Sequence, residues 1–522
     1  MNAVTKQLIK LVIKMSKKVI LLSFVVLSLY IAKAASGQEK SSNRTVSEKF
    51  IVQIDLSTLI SNTLKVSPDN RRIAYVAVED EKWFVVVDGK EQKQYDKIGT
   101  GNPIFSPDSK RLAYPARADN KWLVVVDGKE QKQYDGIMQG TPIFSPDSER
   151  LAYAAVMDKK WFVVVDEKEQ KQYDGIAETS LLFSPDGKHL AYAAKVDRKW
   201  FVVVDGKEHN QHDTIGANSL IFSPDSKRVA YTAKVGNKKF VVVDENPDKQ
   251  YDDIRINSLI FSPDSKHVAY AAVVGNKKFV VIDGKEDKQY DGIMRGTPIF
   301  SPDSKRVSYM AARNHKNFAV VDGTESRQYD KISENPIFSP DNKHLAYTAQ
   351  VGNKFLVVID GNEGKKYDSI EEGSLIFSHD GKHLAYVTKV NRKWLVVIDG
   401  KEGKKYNRIL KPGPTFSPDS RQLAYTARLG NKRFIVIDGK EGDKYDVIFK
   451  PPIFSPDGKH VAYPVKLDYK YSVVIDGENG RKYDKILSAA RERIIFDSPH
   501  TLHYLAQKAD SIYLIEETIK QD

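Results

Sequence analysis

A Ser-Pro-Asp turn recurs through most of this chain at an almost fixed interval. Its serines are Ser67, Ser106, Ser145, Ser184, Ser223, Ser262, Ser301, Ser339, Ser378, Ser417 and Ser455, and His379 replaces the proline once. The spacing is 39 residues, shortening to 38 at Ser301 to Ser339 and at Ser417 to Ser455. A period of this length means a repeat architecture, and it constrains the fold more than any single residue does. In the copy that begins at Pro103, apolar runs alternate with turn signals and predict four short strands. Strand a is Pro103 to Ser106, strand b Arg111 to Ala116, strand c Trp122 to Val126 and strand d Lys132 to Ile137. Pro107-Asp108 and Asp127-Gly128 are tight-turn signals, because proline presets φ and glycine accepts positive φ. Short connections pair each strand with the one before it, which gives a four-stranded antiparallel meander.

Strand c reads Trp-Phe-Val-Val-Val at Trp83 and again at Trp161, with no polar alternation. A strand apolar at every position is covered on both faces. Meanders of about 40 residues stacked face to face are the blades of a β-propeller, so the predicted class is all-β. Eleven turns and one terminal unit without its own Ser-Pro-Asp predict twelve blades. The expected arrangement is two rings of six, residues 48–284 and 285–522; a seven-plus-five split and one large ring are the alternatives. Lys49 to Leu56 reads as a lone strand. The last unit offers Arg493 to Asp497, Leu502 to Lys508 and Ser511 to Glu516 as strands a to c, and no d. A leading strand and a missing final one imply that the two termini cooperate to close a ring.

Phe-Ser-Pro-Asp-(Ser/Gly)-Lys followed by an apolar Ala-Tyr strand resembles the TolB-type, WD40-like propeller repeat, over about nine-tenths of the chain. The resemblance implies a propeller fold. It extends to the propeller domain of dipeptidyl-peptidase relatives, but the Gly-x-Ser-x-Gly elbow of their hydrolase domain is absent. TolB proteins carry an α/β domain ahead of the propeller, and residues 35–47, read as a linker, are too few for one. The Gly-His signature of eukaryotic WD repeats is also missing, which argues against the intracellular branch.

Ahead of that linker, Lys14, Lys17 and Lys18 precede an apolar run from Val19 to Ala32, and Ala32-Lys33-Ala34 is a small-x-small cleavage site. Residues 1–34 therefore read as a signal peptide, with an uncleaved anchor as the competing reading. This predicts an exported protein, periplasmic or extracellular, with any membrane contact made through that segment. The chain has no cysteine, so its fold holds without a disulfide and it has no thiolate site. The formal charge of +12 falls to +6 when residues 1–34, with six lysines and no acid, are removed. Interspersed acids and bases over the remainder describe a solvated surface rather than a nucleic-acid stripe.

One position combines cations with aromatic residues. Lys82, Lys121, Lys160, Lys199, Lys239, Lys278, Lys354, Lys393, Arg433 and Lys470 each precede an aromatic residue at the start of strand c, and all five tryptophans lie there. In a propeller this forms a basic collar on one face, a candidate docking surface for a protein or an anionic envelope polymer. The competing reading gives the aromatics to blade packing and the lysines to solvation of the turn.

The Ser-Pro-Asp aspartates read as turn caps, one per blade, and cannot converge on one metal ion. His189, His267, His344, His383 and His460 take the place of Arg111 before strand b and read as alternatives at one exposed basic position. His209 with His212, and His500 with His503, are three apart and would point to opposite faces of a strand. No cofactor, metal or catalytic residue is predicted. The expected function is a non-enzymatic interaction scaffold; a secreted lyase or peptidase with an active site in the channel, and a structural envelope component, are the alternatives.

Overall fold

A computed structural model describes residues 44–99, 103–487 and 494–520. The predicted signal peptide, the linker before Arg44, and Arg493 lie outside the described residues. Twelve antiparallel sheets follow one another along the chain, joined by turns and without helices among the described residues. In the second blade strand b is Leu112–Ala118 and strand c Lys121–Val126. Strand a comes in two halves, Lys97–Ile98 and Ile104–Phe105, both paired to strand b. The outer strand starts at Lys129–Glu130 beside Val125 and Val126, and returns to the sheet where Tyr134 bridges Trp122.

The expected strand d, Lys132 to Ile137, is therefore divided between two blades. Tyr134 ends the outer strand of the second blade, while Gly136–Ile137 opens strand a of the third, paired to Val156 and Ala155. The predicted strand a, Pro103 to Ser106, is only the second half of that strand.

Strand c is buried on both sides, as its composition predicts. Leu123 and Val125 pack towards the first blade, with Ala74, Val85 and Tyr95. Val124 and Val126 pack towards the third, with Tyr153, Ala155 and Phe162. Side chains alternate between faces with period two, so a strand between two blades needs apolar residues at every position. Layers of this kind join each blade to the next around the whole molecule. One joins the sixth and seventh, through Ala271, Tyr290 and Phe318. Another joins the eleventh and twelfth, through Val473, Tyr483 and Tyr504, and a last joins the twelfth to the first, through Leu505, Leu514 and Ile73.

The twelve blades accordingly form one ring, the large-ring alternative, and not two rings of six. A six-bladed ring would need the sixth blade to turn back onto the first, but its far face is already covered by the seventh. Closure follows the expected route with shifted limits. Arg44–Gln53 pairs antiparallel with Ser511–Ile519 as the outer strand of the twelfth blade, so Arg44 to Ser47, read as linker, are strand.

Candidate functional site

The collar residues occupy two registers. Lys82, Lys121, Lys160, Lys199, Lys354, Lys393 and Lys470 open strand c. Lys239, Lys278 and Arg433 stand one residue further in, where Trp83 stands in the first blade. The bridges show this, since Lys239, Lys278 and Arg433 face Tyr251, Tyr290 and Tyr445 as Trp83 faces Tyr95. In those three blades the opening cation is Lys238, Lys277 or Lys432, and Lys316 precedes Asn317 in the same way.

The opening lysine closes a clamp between blades. Lys121 Nζ lies 2.5 Å from Asp135 Oδ1 in the third blade, and Asp135 Oδ2 accepts the Asp158 N–H of that blade's b–c turn at 2.8 Å. The same ion pair joins Lys82 to Asp96, Lys160 to Asp174, Lys199 to Asp213, Lys354 to Asp368 and Lys470 to Asp484. The hydrogen bond from Lys121, with the one from the turn, holds the Asp135 carboxyl below the usual range. At the tenth blade Asn407 replaces the aspartate; it still accepts Gly430 N–H at 3.2 Å, but Lys393 has no salt bridge among the described residues. Of the inward cations, Lys239 pairs with Asp253 at 2.5 Å, Lys278 donates to the Asp291 carbonyl at 2.8 Å, and Arg433 donates to the Ile448 carbonyl at 3.2 Å. The aspartate that follows each Tyr at a fixed 14 residues beyond the lysine was the available sequence signal for this clamp.

The Ser-Pro-Asp turn is a second joint. Ser106 Oγ donates to Asp108 Oδ1 at 2.6 Å, Oδ1 accepts Lys110 N–H at 3.1 Å, and Asp108 N–H donates to Ser148 Oγ of the next blade at 2.9 Å. With these donors the Asp108 carboxyl falls from 3.8 to about 2. His189, His267, His344, His383 and His460 each place Nδ1 within 2.6 to 2.7 Å of the aspartate ending strand c, where Arg111 places Nε. His379 turns instead to the Ser417 carbonyl, at 3.1 Å. His209 and His212 do not point apart, because residues 209–212 leave regular strand geometry and both rings pack on Tyr231. His503 is buried against Asp497 and the Asp69 carbonyl, and the ring of His500 packs edge-on to His460. Among the described residues, no three histidines, aspartates or glutamates are grouped to hold a metal ion.

The loop between the two halves of strand a, the edge nearest the ring axis, differs strongly from blade to blade. It reads Met138-Gln-Gly140 in the third blade, Ala177-Glu-Thr179 in the fourth and Gly216-Ala-Asn218 in the fifth. Arg255-Ile-Asn257, Met294-Arg-Gly296, Ser333-Glu-Asn335, Glu371-Glu-Gly373 and Leu410-Lys-Pro412 follow. The Ser or Thr that ends most of these loops is structural: Ser180 Oγ donates to the Ala177 carbonyl at 2.7 Å and accepts Ala193 N–H at 3.1 Å. The three residues before it are released from that duty. At three junctions the described loops touch along this inner rim. Thr179 Oγ1 donates to Asn218 Oδ1 at 2.8 Å, Gly296 lies against the Asn335 amide, and Glu371 accepts both Arg408 at 2.9 Å and Lys411 at 3.3 Å. The rim is segregated by charge, with Arg255 and Arg295, then Glu334, Glu371 and Glu372, then Lys411 and Lys450. Burial pushes the Glu334 carboxyl up, and Glu372 beside it adds to the shift. Between the fourth and fifth loops lies a cavity of about 380 Å³, walled by Trp200, Leu182 and Leu220.

Fold and rim together define a β-propeller with an extended axial surface. No family model and no curated protein matches the sequence. Among solved structures the chain is similar to a eukaryotic initiation factor, at 15% identity and TM-score 0.30 over 73% of this chain and 98% of that one. It is also similar to TolB from Acinetobacter baumannii, at 16% identity and TM-score 0.23 over 57% and 81%. A third is the Cps50 (Swd1) β-propeller domain of Myceliophteria thermophila, at 12% identity and TM-score 0.23 over 55% and 98%. Values this low assign the chain to none of these families.

Proposed function

We propose that this chain is an exported, non-enzymatic interaction scaffold that binds a protein partner through the inner rim. One observation carries the reading. The residues constant from blade to blade are engaged within the ring by clamp, turn or apolar layer, and the described inner loops, whose residues differ, lie along one edge of the blades. Variable loops carried at one edge of a repeated framework match the usual division between framework and binding loops. The collar supports an anionic polymer less well, because most of its ammonium groups already face an aspartate. Export rests on the apolar segment from Val19 to Ala32.

Immobilised residues 35–522 exposed to envelope fractions test this. Exchange of Arg255-Ile-Asn257 and Met294-Arg-Gly296 for Gly-Ala-Asn should abolish capture of a protein partner. Lys82, Lys121, Lys160 and Lys199 changed together to Gln should leave it intact. Capture lost in the lysine variant only, or salt-sensitive retention on protein-depleted polymer, would contradict the reading.

A further inference from the structure

The cavity beside Trp200 has a filled counterpart in the same molecule. At the junction of the ninth and tenth blades, Trp394 occupies the position of Trp200, and Lys389 Nζ lies 5.5 Å from its ring as Lys195 Nζ lies 5.7 Å from Trp200. There the space over the indole is taken by the chain's own Arg408. Its guanidinium carbon sits 4.0 Å from the ring centroid, and Nη2 donates to both oxygens of Glu371 at 2.9 and 3.0 Å. At the junction of the third and fourth blades the residue in the register of Glu371 is Met138, buried in an apolar cluster against which Trp161 also packs.

Between the fourth and fifth blades each of these fillers is cut back. Thr214 stands in the register of Arg408, since each opens strand a of its blade opposite a basic residue, Lys234 or Arg428. By the same register Ala177 stands for Glu371 and for Met138, Gly216 for Leu410, and Ala217 for Lys411. Trp200, Thr214, Ala177, Gly216 and Ala217 wall the 380 Å³ that results, and Glu178 stands at its edge. The platform and the flanking lysine are kept while the cation and its main counter-ion are missing. Charge follows the same logic. Lys195 and Glu178 stand here where Lys389 and Glu372 stand at the filled junction, while Arg408, Lys411 and Glu371 have no charged counterpart.

We infer that the cavity between the fourth and fifth blades is a binding pocket for an arginine side chain of a polypeptide partner, stacked on Trp200 with Glu178 beside it. A planar guanidinium suits an indole face and a carboxylate together, which an ammonium group does not. The inference deepens the scaffold reading by naming one anchor on the inner rim.

Calorimetric titration of the full chain with Nα-acetyl-arginine methylamide tests it. Saturable binding is expected, with the lysine analogue about tenfold weaker. Ala177→Glu combined with Thr214→Arg copies the filled junction; it should keep the melting temperature and lose binding at least tenfold, as Trp200→Leu should. The pocket assignment is overturned by absent binding, by equal affinity for the lysine analogue, or by unchanged binding in the folded double variant. Tighter binding of free arginine than of the blocked form would overturn a polypeptide ligand. Failure of the probe leaves capture by the Arg255 and Arg295 loops unaffected, so the two readings fail separately.

Discussion

Tyr134 and Asp135 are consecutive residues that belong to different blades. The tyrosine packs between two sheets while the aspartate ties a lysine behind it to a turn ahead of it. Departures from the repeat are informative at this scale. Glu167 and Glu245 occupy the hairpin glycine position with φ of 67° and 69°, a region in which a side chain is strained. Glu167→Gly and Glu245→Gly should each raise unfolding free energy by about 1 kcal/mol in urea titrations. His212 stands where the other blades have tyrosine, between Tyr231 and Phe240, and burial lowers its pKa from 6.5. The unfolded state then binds the proton more readily, so stability is full above pH 6.5 and declines as the pH falls below it. His212→Phe should flatten that decline in urea midpoints between pH 7 and 5, leaving the share of His209, whose pKa burial also lowers. The Arg111-to-histidine exchanges were legible as one basic position from the sequence. The register of Lys239 and Lys278 was not, because Lys-Phe looks like Lys-Trp until the opposing tyrosine is known.

Strand and turn limits divide in the same way. Strands b and c were readable from their apolar runs, and the turns from Ser-Pro-Asp and Asp-Gly. Strand a was only half visible, since its first half, Gly136–Ile137 in the third blade, is adjacent in sequence to the outer strand of the blade before. The inner loop was hidden because a segment that varies looks like any connection until its neighbours are seen to be other inner loops. Phe162, buried between the second and third blades, tests the packing. Phe162→Ala should cost about 3–5 kcal/mol of unfolding free energy. The turn aspartates set the acid limit. Asp108 and Asp380 fall from 3.8 to about 2, so the stability they supply is present above about pH 4 and is lost as the pH drops towards 2. Circular dichroism should show an acid transition in that window, with its midpoint raised in Asp108→Asn.

On the scale of the whole molecule, the ring depends on one joint made from both ends of the chain. The pairing of Arg44–Gln53 with Ser511–Ile519 also buries Arg44 against Glu517 at 3.1 Å, and Tyr504 donates to Glu517 at 2.6 Å. Burial raises the Glu517 pKa although Arg44 opposes it. Arg44→Met should cost about 3–5 kcal/mol, because the carboxylate would remain buried without its cation. That the termini meet was legible in the leading strand and the missing final one. The number of rings was not, because every junction uses the same residues and the sequence carries no mark of where a ring would close. A single ring also sets the inner loops around one axis, and two rings of six would divide them between two. Electron-microscopic class averages of purified residues 35–522 therefore distinguish one ring from two. The expected result is one closed disc of twelve blades around an axial opening. Two smaller discs joined by a linker, or an open arc, would contradict it.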